Sequence, residues 1–325
     1  MNSVSIRYLT SLDLESFISA ARAVPYQGVN SDLFPGVEVW IRRDDLLDPL
    51  ISGNKAYKLF YNLLAAKEQG ADTIITCGGA WSNHIHATAA AGARFGLRTM
   101  GIIRGERPPL LSATLQDAER FGMQLKFVTR ELYRQRNRPE FLELAELDAI
   151  NSLYVPEGGA NLAGAEGIRL LGEVIERTAP ISFDQLWVAC GTGLTLGSLA
   201  SSVHRFPVHG VEVLRAGDSI RRDAEHWIAV LGTNRDWRKG SIPTKAFELT
   251  NKYHCGGYAK YPNCLREFQQ DFEQQSGIPL DPVYTAKLMY AVSQEAIGGR
   301  ISRGARILVL HSGGLQGRRG FQPRK

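Results

Sequence analysis

The stretch Thr73-Ile74-Ile75-Thr76-Cys77-Gly78-Gly79-Ala80-Trp81-Ser82-Asn83 decides the fold. Four β-branched residues read as a buried strand, the two glycines as a tight turn, and Ser82-Asn83 as the cap of the alanine-rich helix that follows. Upstream, Leu59, Phe60, Leu63, Leu64 and Lys67 place an apolar stripe on a helix that stops at Gly70. Downstream, the pattern predicts a strand at Thr99–Ile103, a helix at Ala113–Phe121, a strand at Leu125–Val128 and a helix at about Pro139–Ala149. It continues with a strand at Leu153–Val155, a helix near Ala163–Arg177 and a strand at Gln185–Ala189. Short strands separated by helices of this length are repeated βαβ units, so parallel sheets covered by helices are expected.

Four glycine-bearing segments fall at the ends of predicted strands: Gly78-Gly79, Gly158-Gly159, Gly191–Gly193 and Gly313-Gly314, the last after the apolar run Arg306–Leu310. Ligands of open α/β sheets sit at the carboxyl ends of strands, so the pattern points to a ligand. The stretch from about Thr233 to Tyr261 loses clear periodicity and reads as a functional loop.

The chain has 325 residues, 44% hydrophobic and 22% charged, which is globular usage with enough apolar mass for one large or two medium domains. A net charge of +5 does not argue for nucleic acid. The basic C-terminal cluster Arg318, Arg319, Arg324 and Lys325 reads as a solvated tail. Four unclustered cysteines, with no metal-binding spacing, suit free thiols in a reducing compartment. No apolar run approaches the roughly 18 residues of a membrane span, and the N-terminal residues lack the apolar stretch of a signal peptide. A cytoplasmic protein is expected, with no membrane and no metal.

Four segments can carry chemistry. In Ser52-Gly53-Asn54-Lys55-Ala56-Tyr57-Lys58 a lysine stands at a helix start, where the dipole disfavours a cation and helps lower its pKa or bind an anion. Such a lysine suits Schiff-base chemistry, although a solvated helix face explains the tetrapeptide equally. Gly78–His84 offers free amides at a helix start, suited to a carboxylate. Cys190-Gly191-Thr192-Gly193-Leu194-Thr195 can cradle one phosphate. It lacks the third glycine of a dinucleotide fingerprint and the lysine of a nucleotide-binding loop. In Asp281-Pro282-Val283-Tyr284-Thr285, Pro282 fits a first helical turn capped by Asp281, and Tyr284 is left between packing and the site. His84 and His86 fall on different helix faces, and neither a zinc motif nor a serine-hydrolase elbow is present.

In this order, SGNKAYKL, GGAWSNH, CGTGLT, LDPVYTAK and LHSGG resemble the fold-type-II pyridoxal-phosphate enzymes, in the branch of D-cysteine desulfhydrase and 1-aminocyclopropane-1-carboxylate (ACC) deaminase. The resemblance runs from about Arg43 to Gly314. It implies two parallel-sheet α/β domains, the smaller (56–164) inserted into a larger cofactor-binding one (1–55 and 165–325), a homodimer, and a small amino acid as substrate. It implies that Lys55 holds pyridoxal 5′-phosphate as a Schiff base and moves the α-proton, and that Lys58 meets the phosphate. Gly191, Thr192, Gly193, Leu194 and Thr195 correspond to the phosphate loop. Asn83 resembles the asparagine at the pyridoxal 3′-oxygen. Ser82, Asn83 and His84 resemble the carboxylate site, and Tyr258 and Tyr284 the tyrosines flanking the substrate.

Thr285 and Ser312 stand where ACC deaminases carry Glu and Leu. Two hydroxyls can bond the pyridine nitrogen without protonating it, which makes a weaker electron sink. That suffices when thiolate leaves, so α,β-elimination from D-cysteine to pyruvate, sulfide and ammonia is expected ahead of ACC deamination. Trp81 departs from the branch, which often has Gln there, so substrate contacts at that point are expected to differ. The competing readings are a dehydratase, racemase or β-replacement enzyme using the same cofactor, and a non-catalytic phosphate-binding α/β protein.

Overall fold

A computed structural model describes residues 8–147, 149–233 and 247–321. Among the described residues, ten strands form two sheets. β1 (Tyr26–Val29), β2 (Glu38–Arg42), β7 (Gln185–Cys190), β8 (Val208–Glu212), β9 (Phe247–Thr250) and β10 (Arg306–Leu310) make a six-stranded sheet in the order β1-β2-β10-β7-β8-β9. β3 (Thr73–Gly78), β4 (Arg98–Arg104), β5 (Gln124–Val128) and β6 (Ser152–Val155) make a four-stranded sheet in the order β5-β4-β3-β6. The smaller sheet is inserted in sequence between strands of the larger, and every pairing is parallel except β1 with β2.

The sheets are parallel as expected, with one antiparallel pair, β1 with β2, added at the edge of the larger. Arg43 N–H bonds Pro25 O beside that pair, so a short hairpin closes the sheet where no crossover helix follows. The interior strands β7, β8 and β10 are buried along nearly their whole length, as strands covered on both faces must be.

The helices are α1 (Leu14–Arg22), α2 (Asn54–Glu68), α3 (Asn83–Phe95), α4 (Ala113–Arg120), α5 (Arg130–Tyr133), α6 (Phe141–Leu144), α7 (Leu162–Thr178), α8 (Leu194–Ala200), α9 (Ser219–Thr233), α10 (Asn263–Ser276) and α11 (Thr285–Ile297). One core joins α1, α2, α7 and α8 to one face of the large sheet, and Phe17 stacks on Phe60 at 4.1 Å inside it. A second core joins α10 and α11 to the other face. Among the described residues no helix is long and apolar enough to cross a membrane.

Three expectations change. The helix expected over about 139–149 is only the four-residue α6, because Arg138 N–H already turns back to Gln135 O and Glu146 adopts φ 52°. Part of the stretch expected to be irregular, Phe247–Thr250, pairs with β8 as an edge strand, while 234–246 lie outside the described residues. The C-terminal arginines are not a solvated tail: Arg318 grips Glu273 of α10 at 2.7 and 2.9 Å, and Arg319 pairs with Asp117 of α4. Arg324 and Lys325 lie outside the described residues.

Candidate active site

The floor of the site is the chain from Arg42 to Gly53. Asp48 Oδ1 accepts the N–H groups of Leu50 and Ile51, and Gly53 N–H bonds Asp44 O. Asp44 is wholly buried and takes Arg42 Nε at 3.0 Å and the Tyr57 hydroxyl at 2.6 Å. Gly53 has φ 65°, and a Cβ there would lie 1.9 Å from Ser312 O, so only glycine lets this loop lie against the end of β10. That contact sets Lys55, the second residue of α2, beside Ser312.

Burial lowers the Lys55 amine from its ordinary 10.5 to about 8, opposed by the Asp281 carboxylate. One turn further on, Lys58 is 2% exposed. Burial and then Lys55 drive its pKa well down, and no carboxylate pairs with it among the described residues. His84, in the first turn of α3, is equally buried. Burial, Lys55 and Lys58 push its pKa well below 6.5, and neither ring nitrogen has a hydrogen-bond partner. Asn54 links the floor to the glycine-threonine turn: its Nδ2 reaches Thr195 Oγ1 at 3.2 Å, and its Oδ1 accepts from Lys55 Nζ at 3.3 Å.

These groups line one cavity of about 380 Å³. Lys55, Lys58, Trp81, Ser82, Asn83, His84, Gly191, Thr192, Thr195, Tyr258, Tyr284 and Ser312, all expected from the sequence, meet there. Ser82 Oγ also caps α3 by accepting Ile85 N–H at 3.2 Å. Tyr284 packs so closely on the turn that a Cβ on Gly191 would lie 3.0 Å from its ring. Burial, then Tyr258 and Asp281, hold its phenol protonated far above the usual range. Tyr258 is 46% exposed at the mouth. Its loop is pinned by buried Lys287, which donates to Val213 O and Gly257 O.

Three expected residues do not line the cavity. Gly193 faces α9, where a Cβ would lie 2.3 Å from Ala224 N, and Leu194 is fully buried in the core. Thr285 is 1% exposed, and its hydroxyl accepts Asp281 N–H at 2.7 Å and reaches Asp281 Oδ1 at 3.2 Å. The Asp281 carboxylate also takes the N–H groups of Val283, Tyr284 and Thr285, but it closes a turn ahead of the helix: α11 starts only at Thr285, so Pro282 lies outside the first helical turn in which it was expected. Gly158, from one of the four strand-end glycine segments, lines the cavity too, and Asn54, Arg104, Arg136 and Glu157 line it without having been singled out. Asn54 adjoins the candidate lysine and was open to notice. The Arg136–Glu157 ion pair, 2.7 Å, joins segments that no motif connects.

The cavity holds two buried amines, an unpartnered imidazole and a turn of glycine and threonine, and its carboxylate, Glu157, is taken by Arg136, so none pairs with Lys58 among the described residues. A phosphate monoester answers Lys58 and the Gly191–Thr195 turn, a carboxylate answers the start of α3, and a carbonyl carbon answers an amine that titrates near 8. Pyridoxal 5′-phosphate with an amino acid supplies all three, so these residues fit that cofactor.

Comparison with known proteins agrees. The family model described as pyridoxal-phosphate dependent enzyme matches residues 26–313. The chain is 29% identical to the bifunctional D-cysteine desulfhydrase/1-aminocyclopropane-1-carboxylate deaminase of Arabidopsis thaliana, covering 95% of this chain and 80% of that protein. It is 28% identical to the D-cysteine desulfhydrase of Yersinia pestis, covering 89% and 90%. The solved structure of an ACC deaminase homologue superposes with a TM-score of 0.74 at 28% identity, covering 90% of each chain. O-ureido-L-serine synthase, 15% identical with a TM-score of 0.65, shares the fold. With the family model spanning the chain from β1 to the glycine pair after β10, around a cavity built for this cofactor, the chain belongs to the pyridoxal-phosphate dependent enzymes.

Proposed function

We propose that the protein is a lyase that eliminates a β-substituent from a small amino acid, with D-cysteine the favoured substrate and pyruvate, sulfide and ammonia the products. One observation carries the reaction type: a lysine titrating near 8 and a phenol held protonated far above its usual range share one cavity. α,β-Elimination needs a base for the α-proton and a proton donor for the leaving group, and an amine near 8 beside a phenol that keeps its proton at neutral pH can fill these two places.

Bound pyridoxal phosphate supplies an electron sink for the pair left on the α-carbon. The protein does the rest. Lys58 and the 191–195 turn hold the phosphate end, and Asn83 the ring oxygen. Ser82 and the amides at the start of α3 hold the substrate carboxylate, with His84 as a neutral neighbour. The Lys55 amine takes the α-proton. Tyr284 gives its proton to the departing sulfur, and Tyr258 closes the mouth against water.

The choice of thiolate over a cyclopropane rests on two hydroxyls that stand where ACC deaminases carry Glu and Leu. We assign Ser312, in the cavity wall, to the ring nitrogen, where a hydroxyl bonds without protonating and keeps the sink weak, while Thr285, its hydroxyl held by Asp281 outside the cavity lining, puts no carboxylate there. The division at residues 55/56 and 164/165 into a large cofactor-binding domain and a small inserted one belongs to the same reading. The name of the relative from Yersinia supports the choice of D-cysteine, while that of the relative from Arabidopsis covers both D-cysteine and ACC, the alternative substrate.

The test is keto-acid release by the cofactor-loaded protein with D-cysteine, L-cysteine and ACC side by side. Pyruvate and sulfide from D-cysteine, without 2-oxobutyrate from ACC, is the expected result. Efficient turnover of ACC would overturn the argument from the two hydroxyls.

A further inference from the structure

Beyond β10 the chain makes a 3-10 turn over Leu315–Gly320 that ties the two sheets' helices together. Two adjacent arginines pull in opposite directions, Arg318 to Glu273 on α10 and Arg319 to Asp117 on α4. Between them and the cavity stands Gln316, whose Nε2 donates to Asn83 Oδ1 at 2.7 Å. The same turn brings Gly314, at φ 88°, under the other edge of that amide, where a Cβ would lie 2.5 Å from Asn83 Nδ2. Trp81 packs over the far end, 3.2 Å from a Cβ on Gly320.

A carboxamide has one accepting and one donating edge, so whatever binds one edge decides what the other offers. Gln316 occupies the Oδ1 edge and leaves Nδ2 as the donor available to the cavity. Turning both amides over together would keep their mutual bond and put the Asn83 carbonyl toward the ligand, where an anionic oxygen repels it. Only a partner able to donate keeps Asn83 in the productive sense once the ligand is bound.

We propose that Gln316 is a positioning residue that fixes the Asn83 amide with its N–H edge toward the ring oxygen of pyridoxal phosphate. The proposal rests on the reading of Asn83 as the contact to that oxygen. Gln316 touches neither substrate nor cofactor in this account and acts wholly through Asn83. The turn carrying it is pinned to α4 and α10, so the setting of the amide is also tied to the seating of the two sheets on each other.

The test uses the holoenzyme and two readouts, cofactor Kd and the pH at which the absorbance of the bound cofactor shifts. Gln316→Glu can accept but not donate, so it draws Asn83 Nδ2 to itself. It is expected to weaken cofactor binding about tenfold and to raise the pH of the absorbance shift by about one unit. Gln316→Met, which keeps volume and removes the bond, is expected to give a smaller change of the same sign. In an Asn83→Ala background, Gln316→Glu is expected to add nothing. An equal effect of Gln316→Glu with and without Asn83 would overturn the proposal by assigning the change to charge or packing. A silent Gln316→Glu beside an affected Asn83→Ala would overturn the proposal and leave the reading of Asn83 standing. A silent Asn83→Ala would remove that reading, and the proposal with it.

Discussion

Tyr57 and Lys58 are neighbours on α2, yet the buried charge clusters they belong to follow opposite rules. Around Tyr57 every charge is answered. Arg42 meets Asp44 and the hydroxyls of Tyr26 and Tyr57, and its remaining N–H reaches Ala21 O. Around Lys58 nothing answers: Lys55 pushes its pKa further down, His84 is held neutral with no hydrogen-bond partner, and Glu157, the carboxylate in the cavity lining, is paired with Arg136. A buried charge must be paired or neutralised to be tolerated. The first cluster meets that condition alone and is scaffold. The second meets it only with a ligand, which marks it as the site.

The comparison breaks most visibly at the lysine that needs the ligand most. Lys55→Ala is expected to lower keto-acid release by about 10²–10⁴-fold, the range for removing a general base, and to abolish covalent retention of the cofactor through denaturing gel filtration after borohydride treatment. Asp44→Asn should act on the other cluster and leave Arg42 a buried unpaired cation. A loss of about 3–5 kcal/mol is expected, equal in urea melts with and without cofactor. Lys58→Met should do the reverse, leaving the apoprotein as stable or more so while weakening cofactor binding by about 10–100-fold, the range for deleting a charged hydrogen bond. If Lys58→Met destabilises the apoprotein as Asp44→Asn does, the contrast between the clusters fails.

The pH dependence of the apoprotein sharpens the same contrast. Burial lowers Lys55 from 10.5 to about 8, so between those values the unfolded chain binds the extra proton. The contribution of Lys55 to stability therefore rises with pH across that window and is least below pH 8. Lys58 and His84 shift in the same direction, with that of His84 falling below its ordinary 6.5. Thermal melts of the apoprotein should show this rise, and Lys55→Met should flatten it. The smallest effect is expected at Trp81, which is 36% exposed at the edge of the cavity. Trp81→Gln should change KM for D-cysteine by a few-fold with little change in kcat, because a side chain at the rim holds the substrate and the transition state about equally.

Much of this was legible in the sequence because parallel strands leave a plain trace. β3, β7 and β10 are β-branched or apolar runs that lead into glycine turns, and the cavity lies at those turns. Lys55, Ser82, Asn83 and Tyr284 sit beside such turns and carried their own signal. What stayed hidden depends on geometry that no spacing encodes. Thr285 and Ser312 looked equivalent in the chain, yet the turn at Asp281 takes the Thr285 hydroxyl for itself and leaves Ser312 facing the cavity. Arg318 and Arg319 read as part of a solvated tail and Gln316 carried no signal, because nothing local reveals that Glu273, Asp117 and Asn83 wait for them across the fold. β1, β2, β8 and β9 were missed because strands of four or five residues interrupted by Gly, His or Glu lack a continuous apolar run, whether at the edge, as β1 and β9, or inside the sheet, as β2 and β8.

The most direct test of the account is to reduce the cofactor-loaded protein with borohydride, digest it and locate the pyridoxyl group by mass spectrometry. The account predicts the label on Lys55, the amine that burial holds near 8 at the start of α2. A label on Lys58, or none on either lysine, would contradict it.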